Sequence, residues 1–597
     1  MKAGQSGQAG PGERAGDRPL LRTWPAVAVA LVGGLALDAA FPPAGFWPLA
    51  AAGPALLALA LWRRSLRGSF LIGLVFGVAF FVPLLSWVLN VAWYAWAALA
   101  GADTLILAVC AIGQRLLLRL RAWPLAVAGW WVAVESLRDR WPYGGFPWGR
   151  LVMSQAGAPT ERWVAVGGPY LLTFLIALVG ACLAWLVLGS AGAGARTAGA
   201  WTARARTARA RTARARTARV RTAGPPEAGA QESGAPETAA APGWRGRGGG
   251  RVLPGAALLG AAGLALIGPL LPVDGAAPGT RTAEVAAIQG NVPRARNLPD
   301  LLRADTVTAN HAAATRQLAA RVRAGRAAAP AVVIWPENST DQDPEYDPYT
   351  YDTIAGAVSS INRPVLVGAI LQNPVRNAGQ LWRPGVGPVQ DYIKRQLVPF
   401  GETIPMRSFL DTFTSLPALQ PVNFTAGHQA VVFRIGQIRL GDVICYEVGF
   451  DGLVSSEVAA GANLLTVQTN DADFELDGQT GESLQQLAMA RIRAVEHDRA
   501  VVVASTTGVS AIIAPDGQLI ERTGLWQRAE IEARVPLRTG ITLADRLGGW
   551  PEAILTGATL AALAWAAAGA LAQRRRRRAA PAGAPALADV PASAGPG

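Results

Sequence analysis

Eight long apolar stretches constrain the fold of this 597-residue chain more than any other feature. A helix needs about 20 apolar residues to cross the hydrocarbon core of a bilayer. The amino-acid composition also indicates a membrane protein, because 16% of the residues are charged, against about 25% in ordinary soluble domains. The sequence therefore predicts a polytopic α-helical membrane protein with about eight transmembrane helices. The stretches lie near Trp24–Phe41, Phe46–Trp62, Phe70–Val91, Ala95–Gly113, Trp123–Leu137, Pro169–Leu188, Val252–Leu271 and Ala553–Leu571.

Arginine clusters predict how these spans are oriented. Clusters precede the first span and follow the second, fourth, sixth and eighth, so all of them fall on the same side of the membrane. They are Arg14–Arg22, Arg63–Arg67, Arg115–Arg121, Arg196–Arg221 and Arg574–Arg578. Because short loops rich in arginine stay in the cytoplasm, we expect both termini there. The long segment between spans seven and eight then lies outside.

The net charge of +14 has a local origin. Arg196–Arg221 contains nine arginines and no acidic residue, and Arg574–Arg578 contributes five more, so two short segments account for the whole excess. No folded region combines a basic face with aromatic residues, which argues against nucleic-acid binding. The repeat Thr-Ala-Arg-Ala-Arg over 202–221 and its Gly/Pro/Glu-rich flank predict a disordered cytoplasmic loop.

Between spans seven and eight the sequence changes character. Short β-branched runs alternate with helical patterns from Thr282 to about Val535, which indicates a layered α/β domain large enough to bury its own core. The nine predicted strands are Glu284–Ile288, Ala331–Trp335, Pro364–Ile370, Gln390–Ile393, Ala430–Ile435, Ile438–Ile444, Asn463–Gln468, Ala500–Ser505 and Ser510–Ala514. We therefore expect a cytoplasmic tail (1–23), a six-helix transmembrane region (24–190), a disordered loop (191–251), helix seven (252–272), a catalytic domain (280–545), helix eight (551–572) and a basic cytoplasmic tail (573–597).

Three segments of this domain place chemically useful side chains at strand ends. Glu337 follows the strand ending Val-Ile-Trp335-Pro, Lys394 follows the strand Asp-Tyr-Ile, and Cys445 follows the strand Gly-Asp-Val-Ile. Residues held on loops by a rigid scaffold are often functional. Each one alone also has an ordinary structural explanation. A cysteine is commonly buried in a core, a glutamate can assist a helix cap, and a lysine can be a solvated surface charge.

The rarity of lysine favours a functional role for Lys394. Only Lys2 and Lys394 are lysines among 55 basic residues, so a generic positive charge in this chain is normally an arginine. A lysine in that background suggests a site that needs a compact ammonium group.

Together, the three residues form a coherent site. A cysteine thiol needs a base or a cation beside it to become a nucleophile. Glu337 can accept and return a proton, and Lys394 can stabilise an oxyanion. A Cys–His pair is poorly supported, because the histidines of this chain lie outside the three motifs.

The ordered Glu–Lys–Cys set resembles the nitrilase, or carbon–nitrogen hydrolase, superfamily. Within it, the spans and the motifs resemble the bacterial apolipoprotein N-acyltransferases, over nearly the whole chain. The motifs are Trp335-Pro-Glu337, Lys394-x6-Gly401-Glu402, Cys445-Tyr446-Glu447, Gly145-Phe146-Pro-Trp148, Gln289-Gly-Asn-Val-Pro293, Thr469-Asn-Asp471 and Ala488-Met-Ala-Arg491-x-Arg493-Ala-x-Glu496.

The resemblance implies an extracytoplasmic α-β-β-α nitrilase-like sandwich domain on a bacterial inner, or plasma, membrane. By similarity, Glu337 is the proton acceptor, Lys394 the oxyanion stabiliser and Cys445 the nucleophile. Six further residues are expected to bind substrate or to support the triad: Glu402, Tyr446, Glu447, Trp335, Phe146 and Trp148. Phe146 and Trp148 would line a groove that opens toward the bilayer.

The reaction implied by the resemblance is a two-step acyl transfer. Cys445 takes an acyl chain from a membrane phospholipid as a thioester, and the α-amine of an S-diacylglyceryl cysteine at the N-terminus of an apolipoprotein then receives it. We expect no metal ion, no cofactor and no nucleic-acid partner. Two alternatives remain: a membrane-tethered amidase that uses the same triad with water, and a non-catalytic transporter or scaffold.

Overall fold

A computed structural model describes residues 19–189, 252–271, 280–293, 300–412, 421–474 and 481–579. The arginine-rich loop predicted at 191–251 and most of the two predicted tails lie outside these ranges.

Fourteen helices are described, in chain order: α1 (Thr23–Asp38), α2 (Leu49–Leu61), α3 (Leu66–Leu84), α4 (Trp93–Leu117), α5 (Trp123–Arg138), α6 (Glu161–Gly189), α7 (Val252–Leu266), α8 (Asp300–Arg323), α9 (Pro348–Ile361), α10 (Arg407–Leu410), α11 (Asp451–Ala459), α12 (Gly481–His497), α13 (Leu543–Leu547) and α14 (Trp550–Ala579). The described strands are β1 (Thr282–Gln289), β2 (Val332–Ile334), β3 (Val365–Leu371), β4 (Arg376–Arg383), β5 (Gly387–Ile393), β6 (Val432–Ile435), β7 (Ile438–Ile444), β8 (Leu464–Thr469), β9 (Val501–Ser505), β10 (Ala511–Ile513), β11 (Leu519–Arg522) and β12 (Ala529–Pro536).

A helix occupies each of the eight apolar stretches. Four of the described helices, α3, α4, α6 and α14, are long and apolar enough to cross a bilayer, while α1, α2 and the segment Gly255–Leu270 are apolar but shorter. Small residues allow these helices to pack closely. A methyl group built on Gly34 of α1 would lie 2.5 Å from the Phe76 carbonyl oxygen of α3. This contact shows why a larger residue does not fit there.

Two six-stranded sheets form the centre of the second domain. Their strand orders are β12-β1-β2-β3-β4-β5 and β11-β10-β9-β8-β7-β6. The inner faces pack against each other through aliphatic side chains such as Ile334, Leu366, Leu440 and Val502. Helices α8 and α9 cover the outer face of the first sheet, and α11 and α12 cover that of the second. The order of layers is therefore α-β-β-α.

The sheet topology determines where the site forms. Strands β1, β2 and β3 are parallel, and so are β7, β8 and β9. The carboxyl ends of parallel strands meet at one edge of a sheet, where α/β proteins place their ligands. Glu337 follows β2, Cys445 follows β7, and Asn470 follows β8.

The sequence patterns indicate nine strands of this domain and miss three, which are β4, β11 and β12. Strand β4 reads Arg-Asn-Ala-Gly-Gln-Leu-Trp-Arg and contains no β-branched residue. Its pairing comes from its neighbours, because it hydrogen-bonds to β3 on one side and to β5 on the other. Strand β12 is rich in charged residues, yet it pairs with β1 over eight residues. Tertiary context thus overrides weak local propensity.

The two parts of the molecule share one hydrophobic core. A single cluster of buried side chains extends from α1–α6 to α11, α12 and the outer face of the second sheet. Buried ion pairs cross the same junction. Arg150, in the loop between α5 and α6, pairs with Asp451 of α11 at 2.8 Å and with Asp139 at 3.2 Å. The apolar helices are therefore continuous with the layer that supports Cys445.

Candidate active site

One buried lysine joins two carboxylates at the edge of the sheets. Lys394 lies just after β5, and its Nζ is 2.9 Å from Glu337 Oε1 and 2.9 Å from Glu402 Oε1. The Lys394 side chain is 1% exposed. A charge this deeply buried needs close partners to offset its lost hydration. The structure therefore brings together three of the residues singled out in the sequence.

The Glu337 carboxylate is held by two further donors: Asn377, which the sequence analysis did not identify, and Asn470, which it quoted only within the motif Thr469-Asn-Asp471. Asn377 of β4 donates from Nδ2 to Glu337 Oε1 at 2.6 Å and to Glu402 Oε1 at 2.9 Å. The backbone N–H of Asn470 donates to Glu337 Oε2 at 3.0 Å. Both oxygens of Glu337 are thus fixed in position. Asn377 could not be identified from the sequence pattern, because that pattern does not reveal strand β4, which carries it.

Cys445 sits on a strained turn. It has a φ of 51°, in the left-handed region that non-glycine residues rarely adopt, and such a conformation costs about 1–3 kcal/mol. The residue follows β7 directly and starts the 3₁₀ turn Cys445–Gly449. Its side chain is buried, and Gln486 of α12 donates from Nε2 to its Sγ at 3.4 Å. Gln486 is a second contact that the sequence did not indicate.

The surroundings of Cys445 favour its protonated form at rest. Burial raises the pKa of the thiol well above its ordinary value, and the negative charge of Glu337 raises it further. Lys394 and a hydrogen bond from Thr469 act in the opposite direction. The three members of the predicted triad therefore lie within electrostatic reach of one another. The thiol needs a base to become a thiolate.

Glu337 has the properties of that base. Burial raises the pKa of its carboxyl group, Lys394 lowers it, and Glu402 raises it again, with a net upward shift. Burial alone would lower the pKa of Lys394, but the charges of Glu337 and Glu402 outweigh burial and hold that pKa well above the usual range. A permanent ammonium beside a carboxylate of raised pKa suits proton transfer near neutral pH.

The Glu447 side chain connects the turn that contains Cys445 to the loop that contains Lys394. Its Oε1 accepts from the backbone N–H of Arg395 at 2.6 Å and of Gln396 at 3.0 Å. Its Oε2 accepts from the Ile444 N–H and from the Tyr392 hydroxyl, each at 2.8 Å. Glu447 is fully buried. It positions both loops.

The predicted aromatic residues form one stack beside the nucleophile. The ring centroids of Tyr446 and Trp148 are 5.6 Å apart, those of Trp148 and Phe146 are 5.0 Å apart, and both pairs are stacked. The Tyr446 hydroxyl donates to the Gly145 carbonyl oxygen at 2.5 Å. Trp148 also approaches Trp87, which follows α3. The stacked rings extend from the turn Cys445–Gly449 toward the apolar helices.

Trp335 belongs to the core. It is completely buried between β2 and α8, where its Nε1 donates to Thr315 Oγ1 at 2.8 Å. Its contacts hold the strand that leads to Glu337. Among the described residues, no group of three or more His, Cys, Asp and Glu side chains is arranged to bind a metal ion.

Two family models match this chain. The family model of the apolipoprotein N-acyltransferase N-terminal domain matches residues 33–182, and that of carbon–nitrogen hydrolases matches residues 284–544. A solved amidase from Nesterenkonia sp. aligns with 44% of this chain and 93% of its own, at 17% identity and a TM-score of 0.32.

Two relatives match along nearly the full length. An apolipoprotein N-acyltransferase of Mycolicibacterium smegmatis is 36% identical over 92% of this chain and 86% of its own. One of Azotobacter vinelandii is 29% identical over 94% of this chain and 97% of its own. Since both family models and the full-length relatives agree, this chain belongs to the apolipoprotein N-acyltransferase family.

Proposed function

We propose that this protein transfers a fatty acyl chain from a membrane phospholipid to the α-amine of an S-diacylglyceryl cysteine at the N-terminus of apolipoproteins. The observation that carries the proposal is the buried cluster of Cys445, Glu337 and Lys394, built on a domain whose core continues into apolar helices. Family membership supports the same reaction.

In the first step, Glu337 accepts the thiol proton of Cys445, and the thiolate attacks the ester carbonyl carbon of the phospholipid. Lys394 stabilises the negative charge that develops on the carbonyl oxygen. The carbon–oxygen ester bond then breaks, Glu337 returns the proton to the departing lysophospholipid, and an acyl thioester remains on Cys445.

In the second step, the uncharged α-amine of the acceptor attacks the thioester carbonyl. Lys394 again stabilises the oxyanion, and Glu337 accepts the proton that the nitrogen loses. The carbon–sulfur bond breaks, the amide is complete, and the proton passes from Glu337 to the thiolate. A covalent intermediate allows one site to serve two bulky substrates in turn.

The location of both substrates explains the apolar helices. Moving an acyl chain from lipid into water costs about 0.8 kcal/mol per CH₂ group, so a site that receives such chains is best placed at the bilayer. The stack of Phe146, Trp148 and Tyr446 would line the path from the membrane to Cys445. We infer eight spans, cytoplasmic termini and a catalytic domain outside a bacterial inner membrane, on the basis of the arginine clusters.

The decisive experiment measures acyl transfer by the full-length protein in nanodiscs. The discs contain phospholipid labelled in its acyl chains, and a diacylated lipopeptide is added afterwards. We expect a hydroxylamine-sensitive acyl adduct on the wild type and none on Cys445→Ala. Cys182→Ala is the matched control, because Cys182 lies within α6 and should leave the adduct intact.

The fate of the label distinguishes the reactions. Transfer to the lipopeptide supports the proposal, whereas release by water alone would identify a hydrolase of the amidase type. An adduct that persists in Cys445→Ala would contradict the role given to this residue in either reaction.

A further inference from the structure

A second buried acid lies beneath the site, and the mechanism does not use it. Asp442 is on β7 and faces the space between the two sheets, where it is completely buried. Gln468, on the neighbouring parallel strand β8, points to the same face, because Asp442 pairs with Thr466 and Ile444 pairs with Gln468. Two polar side chains with carbonyl or carboxyl oxygens therefore lie within a largely apolar layer.

The two side chains present oxygens to each other. A methyl group built on Gly379 of β4 would lie 2.0 Å from Asp442 Oδ2 and 2.7 Å from Gln468 Oε1, so both oxygens crowd the same point above this glycine. Among the described residues, none donates a well-formed hydrogen bond to either carboxyl oxygen of Asp442 or to Gln468 Oε1. Two buried acceptors that meet without a donor would repel each other and lose their hydration.

The charges around Asp442 make an ionised carboxylate unfavourable there. Burial raises its pKa most, the carboxylates of Glu447, Glu457 and Glu337 raise it further, and the Val443 backbone N–H acts in the opposite direction. The nearby cations are already engaged. Lys394 pairs with Glu337 and Glu402, while Arg395 pairs with Glu457 at 2.7 Å. Neither of these two cations is left to offset a negative charge on Asp442.

We propose that Asp442 is a positioning residue that keeps its carboxyl proton in the folded protein and donates it to Gln468 Oε1. Gln468 Nε2 in turn donates to the Trp335 carbonyl oxygen at 2.5 Å. The bridge therefore joins β7, which leads into the nucleophile, to the end of β2, which leads to the carboxylate base. It ties the two sheets together directly beneath the reacting groups.

The pH dependence of stability tests the bridge without any substrate. A carboxyl group whose pKa is higher in the folded than in the unfolded protein contributes stability that is complete below the unfolded pKa and is lost as the pH rises toward the folded one. Asp442→Asn carries a permanent N–H donor of the same shape and avoids this loss. We expect its Tm to exceed that of the wild type by about 2–4 °C near neutral pH.

This advantage should grow as the pH rises above about 4, where an aspartate ionises in the unfolded protein. Asp352→Asn is the matched control, because Asp352 is exposed on α9 and its substitution should leave the pH dependence unchanged. Asp442→Leu, which cannot donate, should lower Tm at every pH.

Two further readouts separate a proton bridge from simple filling of space. The infrared difference between wild type and Asp442→Asn should show the carbonyl band of one protonated carboxylic acid that the variant lacks. The rate of Cys445 acylation should fall in Asp442→Leu and recover in Asp442→Asn.

The bridge does not depend on the identity of the acyl donor or acceptor, so its failure would leave the proposed reaction intact. A Tm of Asp442→Asn that lies below the wild type at all pH values, or the absence of the carboxylic acid band, would overturn it.

Discussion

At the scale of single residues, electrostatics sets the protonation states of the site. Lys394 is held between two carboxylates, so the cluster carries one more negative than positive charge and its ammonium stays protonated. Burial raises the pKa of Glu337 and of the Cys445 thiol, and a neighbouring carboxylate raises each of them further, Glu402 for Glu337 and Glu337 for Cys445. Proton transfer from thiol to carboxylate thus exchanges one buried charge for another, without creating a new one.

The raised pKa of Glu337 predicts an acid limb in the pH profile. The base must be ionised to accept the thiol proton, so the rate of Cys445 acylation should fall as the pH drops through a value above 4.5. Glu402→Gln removes a neighbouring negative charge and should move this limb to lower pH. The rate of acylation is measured across pH with labelled phospholipid.

Glu521→Gln is the control for that experiment, because Glu521 is exposed on the edge strand β11. Its acid limb should coincide with that of the wild type. A limb that moves to higher pH in Glu402→Gln would contradict the charge balance inferred for the site.

At the scale of elements, the site depends on a strand with weak local signals. Strand β4 sends alternate side chains to opposite faces of the sheet. Asn377 and Gly379 face the second sheet, where one holds Glu337 and the other leaves room for Asp442. Gln380 faces the other way and accepts a hydrogen bond from Trp382 Nε1. Residues on one face of β4 therefore contact the candidate active site, and residues on the other face contact the layer beneath α8 and α9.

Asn377→Leu tests the contribution of β4. The change removes the donor to Glu337 Oε1 and Glu402 Oε1, and a buried polar group left unpaired costs about 1–3 kcal/mol. We expect the rate of Cys445 acylation to fall about ten- to a hundredfold, since about 1.4 kcal/mol corresponds to a factor of ten. Single-turnover acylation in nanodiscs is the measurement.

Gln380→Leu, on the opposite face of the same strand, controls for general damage to the sheet. It should lower Tm as much as Asn377→Leu and leave the acylation rate close to that of the wild type. Equal losses of rate in both variants would show that Asn377 acts only through stability.

At the scale of the whole molecule, buried charges connect the catalytic domain to the helices. Asp451, at the start of α11, pairs with Arg150 from the α5–α6 loop and with Arg493 of α12, at 2.6 Å. Burial would raise the pKa of Asp451, but these two guanidinium groups hold it well below its usual range. Arg493 also donates to the Val448 and Gly449 carbonyl oxygens of the catalytic turn. The ion pairs at this junction and the turn that contains Cys445 are therefore connected by one network of hydrogen bonds.

Arg150→Met should weaken this junction. It leaves Asp139 and Asp451 buried without their common partner, and the loss of one member of a buried ion pair costs about 3–5 kcal/mol. We expect a lower Tm and faster amide hydrogen exchange in α11 and in the α5–α6 loop. Exchange followed by mass spectrometry on the protein in nanodiscs measures both segments.

Arg522→Met, at an exposed position of β11, is the control and should change neither quantity. Loss of Tm without faster exchange at the junction would show that Arg150 stabilises the fold elsewhere.

Local features of the chain were sufficient to predict a layered α/β domain beside apolar helices and to single out Glu337, Lys394 and Cys445 as candidate site residues. Apolar length indicates membrane helices, short β-branched runs indicate nine of the strands, and the rarity of lysine makes Lys394 stand out. Each of these signals is contained within a short segment, because helix length, strand alternation and residue type act over a few neighbouring residues. The Glu–Lys–Cys set could be named for the same reason.

Tertiary structure alone decided which polar residues support those groups. Asn377, Gln486 and Arg150 look like ordinary polar residues in the sequence, and their partners lie tens to hundreds of positions away. Their roles depend on the packing of two sheets and on the docking of α11 and α12 against the membrane helices. A polar side chain acquires a specific partner only when burial removes the water that would otherwise satisfy it.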